Sequence, residues 1–395
     1  MLRNGMDFLM IPGPTTLPAE VLRAMHRPSI DIYDGPIVET TDSCLADLRK
    51  VFRTEAGHVY IYIANGHGAW DAALANTLSR GDRVLVLDSG RFAREWGVAA
   101  GHMGIDVEIL PGSWRAAVDP TAVAARLRED MAGDIKAVMM VQVDTASGVI
   151  NDVAAVRRAL DEAGHPALFM VDVVASLACV PFEMDGWGVD VAVAAAQKGL
   201  MAPAGLAFVC AGPKAHEAAT RAGLRTRYMD WEERRGEEHY VKYGGTPPEQ
   251  HMFALRAALD MILGEGLEQV WRRHAVLAGA IRAAIEAWSS AGAVQFNILA
   301  PAERSDAVSV FLLDGGRAAE LRQLIASTCA VTVGGTIGEI AGRGIRIGHM
   351  GHVNAPMVLG TLATLQAGFT ALGIPFGPGG LDHAAAHIGH AIASR

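Results

Sequence analysis

Apolar runs of strand length and longer amphipathic stretches alternate through the first half of the chain. Runs at 58–64, 83–87, 107–110, 137–142, 167–172, 189–196 and 206–210 read as strands, and stretches at 69–79, 92–102, 120–131 and 153–163 read as helices. Alternation at this spacing predicts crossover units, and hence an α/β fold with a mainly parallel sheet and helices on both faces. Ligands of such sheets bind beyond the carboxyl ends of the strands. Ahead of this region, Ile11-Pro12-Gly13-Pro14-Thr15-Thr16-Leu17-Pro18 reads as a rigid extended segment, because proline fixes φ and biases its neighbours away from helix.

After helical stretches at 250–265 and 267–289 the texture changes. Strands at 307–312, 330–333 and 344–348 now alternate with helices at 318–327 and 356–372. This predicts a smaller C-terminal α+β domain, with an N-terminal arm over 1–18, a large domain over 19–270 and a small domain over 271–395. Ile347 to Leu381 contains no Asp, Glu, Lys or Arg. Gly360, Gln366, Gly373 and Pro375 interrupt it, while Leu359, Leu362, Leu365, Phe369 and Leu372 recur at helical spacing, so an amphipathic helix of a globular domain is expected, not a membrane span.

Composition narrows the function classes. The 395 residues are 51% hydrophobic and 19% charged, which predicts a folded chain throughout. A net charge of −9 without blocks of like charge argues against nucleic acid and anionic membranes as partners, and in favour of small molecules. Met1 to Met10 contains Arg3 and Asp7 and no long apolar run, so no signal peptide is expected. Cys44, Cys179, Cys210 and Cys329 stand far apart, which fits a reducing cytoplasm. His383, His387 and His390 share one face of the last helix without a matching carboxylate or cysteine, and are read as a solvated face with no metal.

Three places invite chemistry. Lys198 follows the apolar run 189–196 in a Gly-, Ala- and Pro-rich loop; it either snorkels from a strand end or is a buried amine whose lowered pKa makes it a nucleophile toward carbonyl carbon. Asn65-Gly66-His67-Gly68 opens a helix after the first strand, which suits a phosphate or simply answers turn geometry. Asp172 ends a buried strand; it caps the next segment or pairs with a cation such as a pyridinium nitrogen. Lys198 and Asp172 together describe a pyridoxal 5'-phosphate site.

These residues stand in order with Pro12-Gly13-Pro14, Ser89-Gly90-Arg91-Phe92, Asp144-Thr145-Ala146-Ser147-Gly148, Asp172-Val173-Val174-Ala175-Ser176, Gln197-Lys198-Gly199, Tyr243-Gly244-Gly245-Thr246-Pro247-Pro248 and Arg346-Ile347-Gly348-His349-Met350-Gly351. Their conjunction resembles class V, fold-type I pyridoxal-phosphate aminotransferases of the alanine–glyoxylate and serine–glyoxylate group. The resemblance runs from Ile11 through the helix at 356–372. It implies that Lys198 holds the cofactor as a Schiff base and shuttles the α-proton, and that Asp172 pairs with the ring nitrogen. Val174 and Phe92 would cover the two ring faces, with Thr145 near the ring oxygen. Asn65, Gly66, His67 and Gln197 would hold the phosphate, joined by Tyr243 and Thr246 from the neighbouring subunit of a homodimer. Arg346 would clamp the substrate α-carboxylate, with Gly13, Tyr33 and His349 bordering the substrate.

The resemblance implies transfer of an amino group from serine, alanine or aspartate to glyoxylate or pyruvate. At Tyr33-Asp34, where many relatives carry a His-Arg pair, the sequence is similar to the ureidoglycine–glyoxylate and pyridoxamine–pyruvate branches, and the substrate stays open. The presence of His67, Gln197, Tyr243 and Thr246 together favours bound pyridoxal phosphate over an unphosphorylated vitamer as substrate. The loop at 334–342 contains no second arginine for an extra acidic group, although Arg343 follows it. A cysteine desulfurase shares the fold but needs a mobile nucleophilic cysteine, and Cys329 reads as a helix-to-strand turn.

Overall fold

The computed structural model describes residues 2–394. Its strands are β1 (Phe8–Met10), β2 (His58–Tyr62), β3 (Arg83–Leu87), β4 (Asp106–Leu110), β5 (Ile135–Val141), β6 (Val143–Asp144), β7 (Val149–Ile150), β8 (Leu168–Asp172), β9 (Val191–Ala195), β10 (Ala207–Ala211), β11 (Val294–Phe296), β12 (Val308–Leu313), β13 (Val331–Gly335) and β14 (Gly344–Gly348). The helices are α1 (Ala19–Met25), α2 (Pro36–Phe52), α3 (Gly66–Thr77), α4 (Arg91–His102), α5 (Pro120–Glu129), α6 (Val153–Glu162), α7 (Pro213–Ala219), α8 (Glu249–Glu265), α9 (Leu267–Ser289), α10 (Ala318–Cys329), α11 (Ala355–Leu372) and α12 (Gly380–Ala393).

Seven strands form the large sheet in the order β2-β10-β9-β8-β5-β3-β4. Neighbours run parallel from β9 to β4, and β10 is antiparallel to both β9 and β2. The sheet is therefore mainly parallel, as the alternation requires. β8, β9 and β10 are buried along their whole length because helices cover both faces, which is why these strands read as continuous apolar runs. Separate apolar cores lie on the two faces, one including Val138 and Phe208, the other Met139 and Val209.

The second sheet has the order β1-β13-β14-β12-β11 and is antiparallel except where β1 runs beside β13. The N-terminal segment therefore carries a strand of the small domain. Phe8 pairs with Val331, and Met10 is fully buried in the core of that domain. Helix α9 serves both units: Leu267 and Val270 belong to the core of the large sheet, Leu277 and Ile281 to that of the small one. Helix α11 is long and apolar enough to cross a membrane by length and composition. In the fold its Val358, Leu362, Leu365 and Phe369 are buried against the small sheet and its other helices.

Candidate active site

The carboxyl ends of β2, β5, β8 and β9 deliver Asn65, Thr145, Asp172 and Lys198 to one side of the large sheet, and the turn after β3 adds Phe92. Asn65 caps α3, its Oδ1 accepting from the amides of His67 at 3.1 Å and Gly68 at 3.4 Å. Asn65, Gly66, His67, Phe92, Thr145, Asp172, Val174, Gln197 and Lys198 line a single cavity of about 170 Å³. A Cβ on Gly66 would lie 3.0 Å from Val174 Cγ2, so a side chain there would press on the cavity wall.

A second cavity of about 390 Å³ is lined by Pro12, Gly13 and Arg346, and shares Phe92, Thr145 and Lys198 with the first. The Lys198 side chain thus stands between the two. Its Nζ donates to the carbonyl of Pro12. Gly13 lies against it with φ +93°, and a Cβ at that position would come within 2.5 Å of Lys198 Nζ and Cδ. Thr15 anchors the same loop by hydrogen bonds to the carbonyls of Gln197, at 3.1 Å from its amide, and Lys198, at 3.0 Å from its hydroxyl. Burial, aided by the positive charge of Arg346, pushes the Lys198 amine down to about 8.

Asp172 is buried, and loss of solvent raises its carboxyl to about 7 despite two hydrogen bonds that favour the anion. Oδ1 accepts from the Val174 amide and Oδ2 from the indole of Trp70, both at 2.7 Å. A carboxylate held this way calls for a cation in the cavity. Asp144, also buried and raised to about 6 by burial, holds the start of α4 through the amides of Phe92 at 2.8 Å and Ala93 at 3.1 Å. Arg346 donates from Nε to Gly335 O at 2.6 Å and from Nη1 to Thr145 O at 3.1 Å, so its fork is fixed at the second cavity. Burial pushes it down to about 10.

Four expected residues lie elsewhere within this subunit. His349 is corrected from a pocket residue to a core one: it is fully buried, shares a 2.9 Å hydrogen bond with Ser309 Oγ, and burial lowers it to about 3. Tyr243 is buried as well, and its hydroxyl bonds Thr41 Oγ1 at 2.6 Å. Tyr33 is 70% exposed and meets Tyr240 edge-on with ring centroids 6.0 Å apart, and Thr246 is exposed. Neither lines the two cavities. Cys329 ends α10 away from both, and the other three cysteines are buried. Among the described residues no group of three or more His, Cys, Asp or Glu is placed to hold a metal ion.

Trp70 and Arg322 carry no signature in the sequence motifs, and Asp144 stands in one without a role of its own. Trp70 lies one helical turn after Gly66, so it faces the same cavity. Arg322 follows the buried Ala318 by the same interval and reaches the second cavity. That spacing was the available signal for both.

The first cavity suits a flat cationic heterocycle. Asp172 would hold its ring nitrogen, the α3 N-terminus its anionic tail and Lys198 an aldehyde, while Gln197 Oε1 is buried with no partner among the described residues. Pyridoxal phosphate has this set of groups, and the site is that of a pyridoxal-phosphate-dependent transaminase. The family described as "Aminotransferase class-V" matches residues 8–351, and the chain belongs to it. It is 38% identical to the serine–glyoxylate aminotransferase of Methylorubrum extorquens, with 95% of this chain and 94% of that one covered. It is 37% identical to the L-aspartate–glyoxylate aminotransferase of Paracoccus denitrificans, over 93% and 92%. Its fold superposes on the ureidoglycine–glyoxylate aminotransferase of Bacillus subtilis with a TM-score of 0.88 at 25% identity, over 98% and 99%.

Proposed function

We propose that the chain transfers the amino group of a small amino acid, serine, alanine or aspartate, to glyoxylate or pyruvate in two half-reactions at one site. The observation that carries this reading is the position of Lys198 between the Asp172 cavity and the Arg346 cavity. Bound there, pyridoxal phosphate supplies an electron sink for the bond broken at the substrate α-carbon. The Asp172 carboxylate would hold the ring nitrogen in its protonated form. Arg346 orients the substrate through its α-carboxylate with a planar fork. Lys198, its amine lowered to about 8, would hold the cofactor through its aldehyde and would accept the α-proton at Nζ.

Homodimerisation completes the phosphate end in this reading. Two of the α3 amides are taken by Asn65, and Lys198 is the sole Lys or Arg lining that cavity. The exposed Thr246 and Tyr33 are available to a second copy, whereas the Tyr243 hydroxyl is engaged by Thr41 in its own subunit. The four free cysteines support a cytoplasmic setting.

The test is a product assay with defined donors and acceptors. Serine, alanine, aspartate and pyridoxamine are each incubated with glyoxylate, and all except alanine also with pyruvate, and glycine or alanine formation is quantified. Conversion with at least one of the amino acids is expected. Turnover confined to pyridoxamine and pyruvate contradicts the reading.

A further inference from the structure

The second cavity contains a cation that the chemistry above does not use. Arg322 lines it together with Arg346 and Lys198, and no Asp or Glu side chain does. Its Nε donates to Val333 O at 3.0 Å, which fixes the guanidinium along β13. On β13, Gly335 separates the two arginines: its carbonyl takes Arg346 Nε at 2.6 Å, and a Cβ on it would lie 2.6 Å from Arg322 Nη1. The charges sense each other, since Arg322 adds to burial in lowering Arg346, while Asp144, outside the cavity lining, acts more weakly in the opposite sense. Two guanidiniums beside one cavity without an acid between them are a repulsive arrangement that a ligand with two negative groups relieves.

We infer that Arg322 is a subsite for a second carboxylate, and that the preferred amino donor is an α-amino acid with a carboxylate side chain, of the aspartate class. The inference rests on the transaminase reading. Arg346 takes the α-carboxylate, as that reading has it, and Arg322 takes the side-chain carboxylate with its free edge. A guanidinium matches the single charge and planar geometry of a carboxylate, whereas the second charge of a phosphate monoester finds no further cation there besides Lys198, which the transaminase reading assigns to the cofactor. Serine and alanine leave Arg322 unpaired, so they gain nothing from it.

The test is the amino-donor half-reaction of the holoenzyme, followed by loss of the cofactor's visible absorbance on mixing with L-aspartate, L-alanine, L-serine or O-phospho-L-serine. Wild type is expected to react fastest with aspartate. In Arg322→Gln the ratio of aspartate to alanine rate constants is expected to fall by about 10- to 100-fold, with Arg322→Lys between the two. An equal slowing of all donors, an unaltered ratio, or a wild-type preference for phosphoserine, serine or alanine overturns the subsite. As a check that needs no variant, maleate is expected to inhibit wild type more strongly than acetate, and equal inhibition also overturns it. If no amino acid reacts with wild type, the transaminase reading itself fails. If alanine or serine reacts and the aspartate ratio ignores Arg322, only the subsite fails.

Discussion

The indole Nε1 of Trp70 donates to Asp172 Oδ2 at 2.7 Å, from a helix that precedes the aspartate by several strands of the sheet. With the Val174 amide on the other oxygen, this bond sets the plane of the carboxylate and favours its charged form against the cost of burial. Trp70→Phe keeps an aromatic ring and removes the donor. A hydrogen bond to a charged group contributes about 1.5–3 kcal/mol, so cofactor affinity and kcat are expected to fall by about 10- to 100-fold. Cofactor titration and steady-state assays check this, with the thermal midpoint as a control for folding.

Stability of the cofactor-free protein should depend on pH through the same aspartate. Asp172 rises from 3.8 to about 7 and Asp144 from 3.8 to about 6 on folding. Carboxyls raised in this way contribute stability that is full below their unfolded value and lost as pH climbs through the folded one. Between about pH 4 and pH 7 these two carboxyls therefore act to lower the thermal midpoint of the apo protein, each by about 1.4 kcal/mol per pH unit, against the buried His274 and His349, which are lowered to about 4 and about 3 and act in the opposite sense. Asp172→Asn removes one of the two carboxyl contributions, so the midpoint of the variant should rise relative to wild type as pH climbs from about 4 to about 7, and a constant difference contradicts the assignment. Lys198 acts in the opposite sense. Lowered from 10.5 to about 8, its contribution is full at high pH and lost as pH falls through the folded value.

Cofactor capture gives an independent reading of that amine. Only the neutral amine attacks an aldehyde, so the rate at which apo protein takes up pyridoxal phosphate is expected to rise with pH and level off above about 8. Rapid-mixing absorbance across pH 6 to 10 measures it, at about half-unit steps.

Gly13→Ala tests how tightly Lys198 is packed. The new methyl would meet Lys198 Cδ and Nζ at 2.5 Å on a backbone with φ +93°. Backbone strain of about 1–3 kcal/mol lowers the midpoint without unfolding the protein, while displacement of the amine is expected to reduce kcat by about 100-fold. Wild-type kcat in this variant contradicts the placement of Gly13.

Lys198, Asp172 and Asn65 were legible in the sequence because each follows an apolar strand in an alternating pattern, and the carboxyl end of a parallel sheet is where such residues meet. Trp70, Asp144 and Arg322 act through contacts between elements distant in the chain, which no local pattern reports. For Trp70 and Arg322 a helical interval from an inward residue was the only hint. His349 shows the opposite failure. A motif locates the backbone of a residue, but the side chain turned into the core, where Ser309 bonds its Nε2 and its Nδ1 has no partner among the described residues. Strand β1 was hidden because the prolines after Met10 dominated the reading of that segment, while the apolar Phe8–Met10 triplet pairs with a strand from the far end of the chain. Helix α2 was hidden as well, although its buried Ile37, Thr41, Cys44, Leu48 and Val51 keep helical spacing.

The central claim is that one amine, on Lys198, both holds the cofactor and moves the substrate proton. The most direct measurement compares wild type with Lys198→Ala, each loaded with pyridoxal phosphate, by visible absorbance and by turnover of an amino donor with glyoxylate. Wild type is predicted to show a visible band that fades with the donor and returns with the acceptor. The variant should lose that band and about 100- to 10,000-fold in turnover. If both band and turnover survive the substitution, the account is wrong.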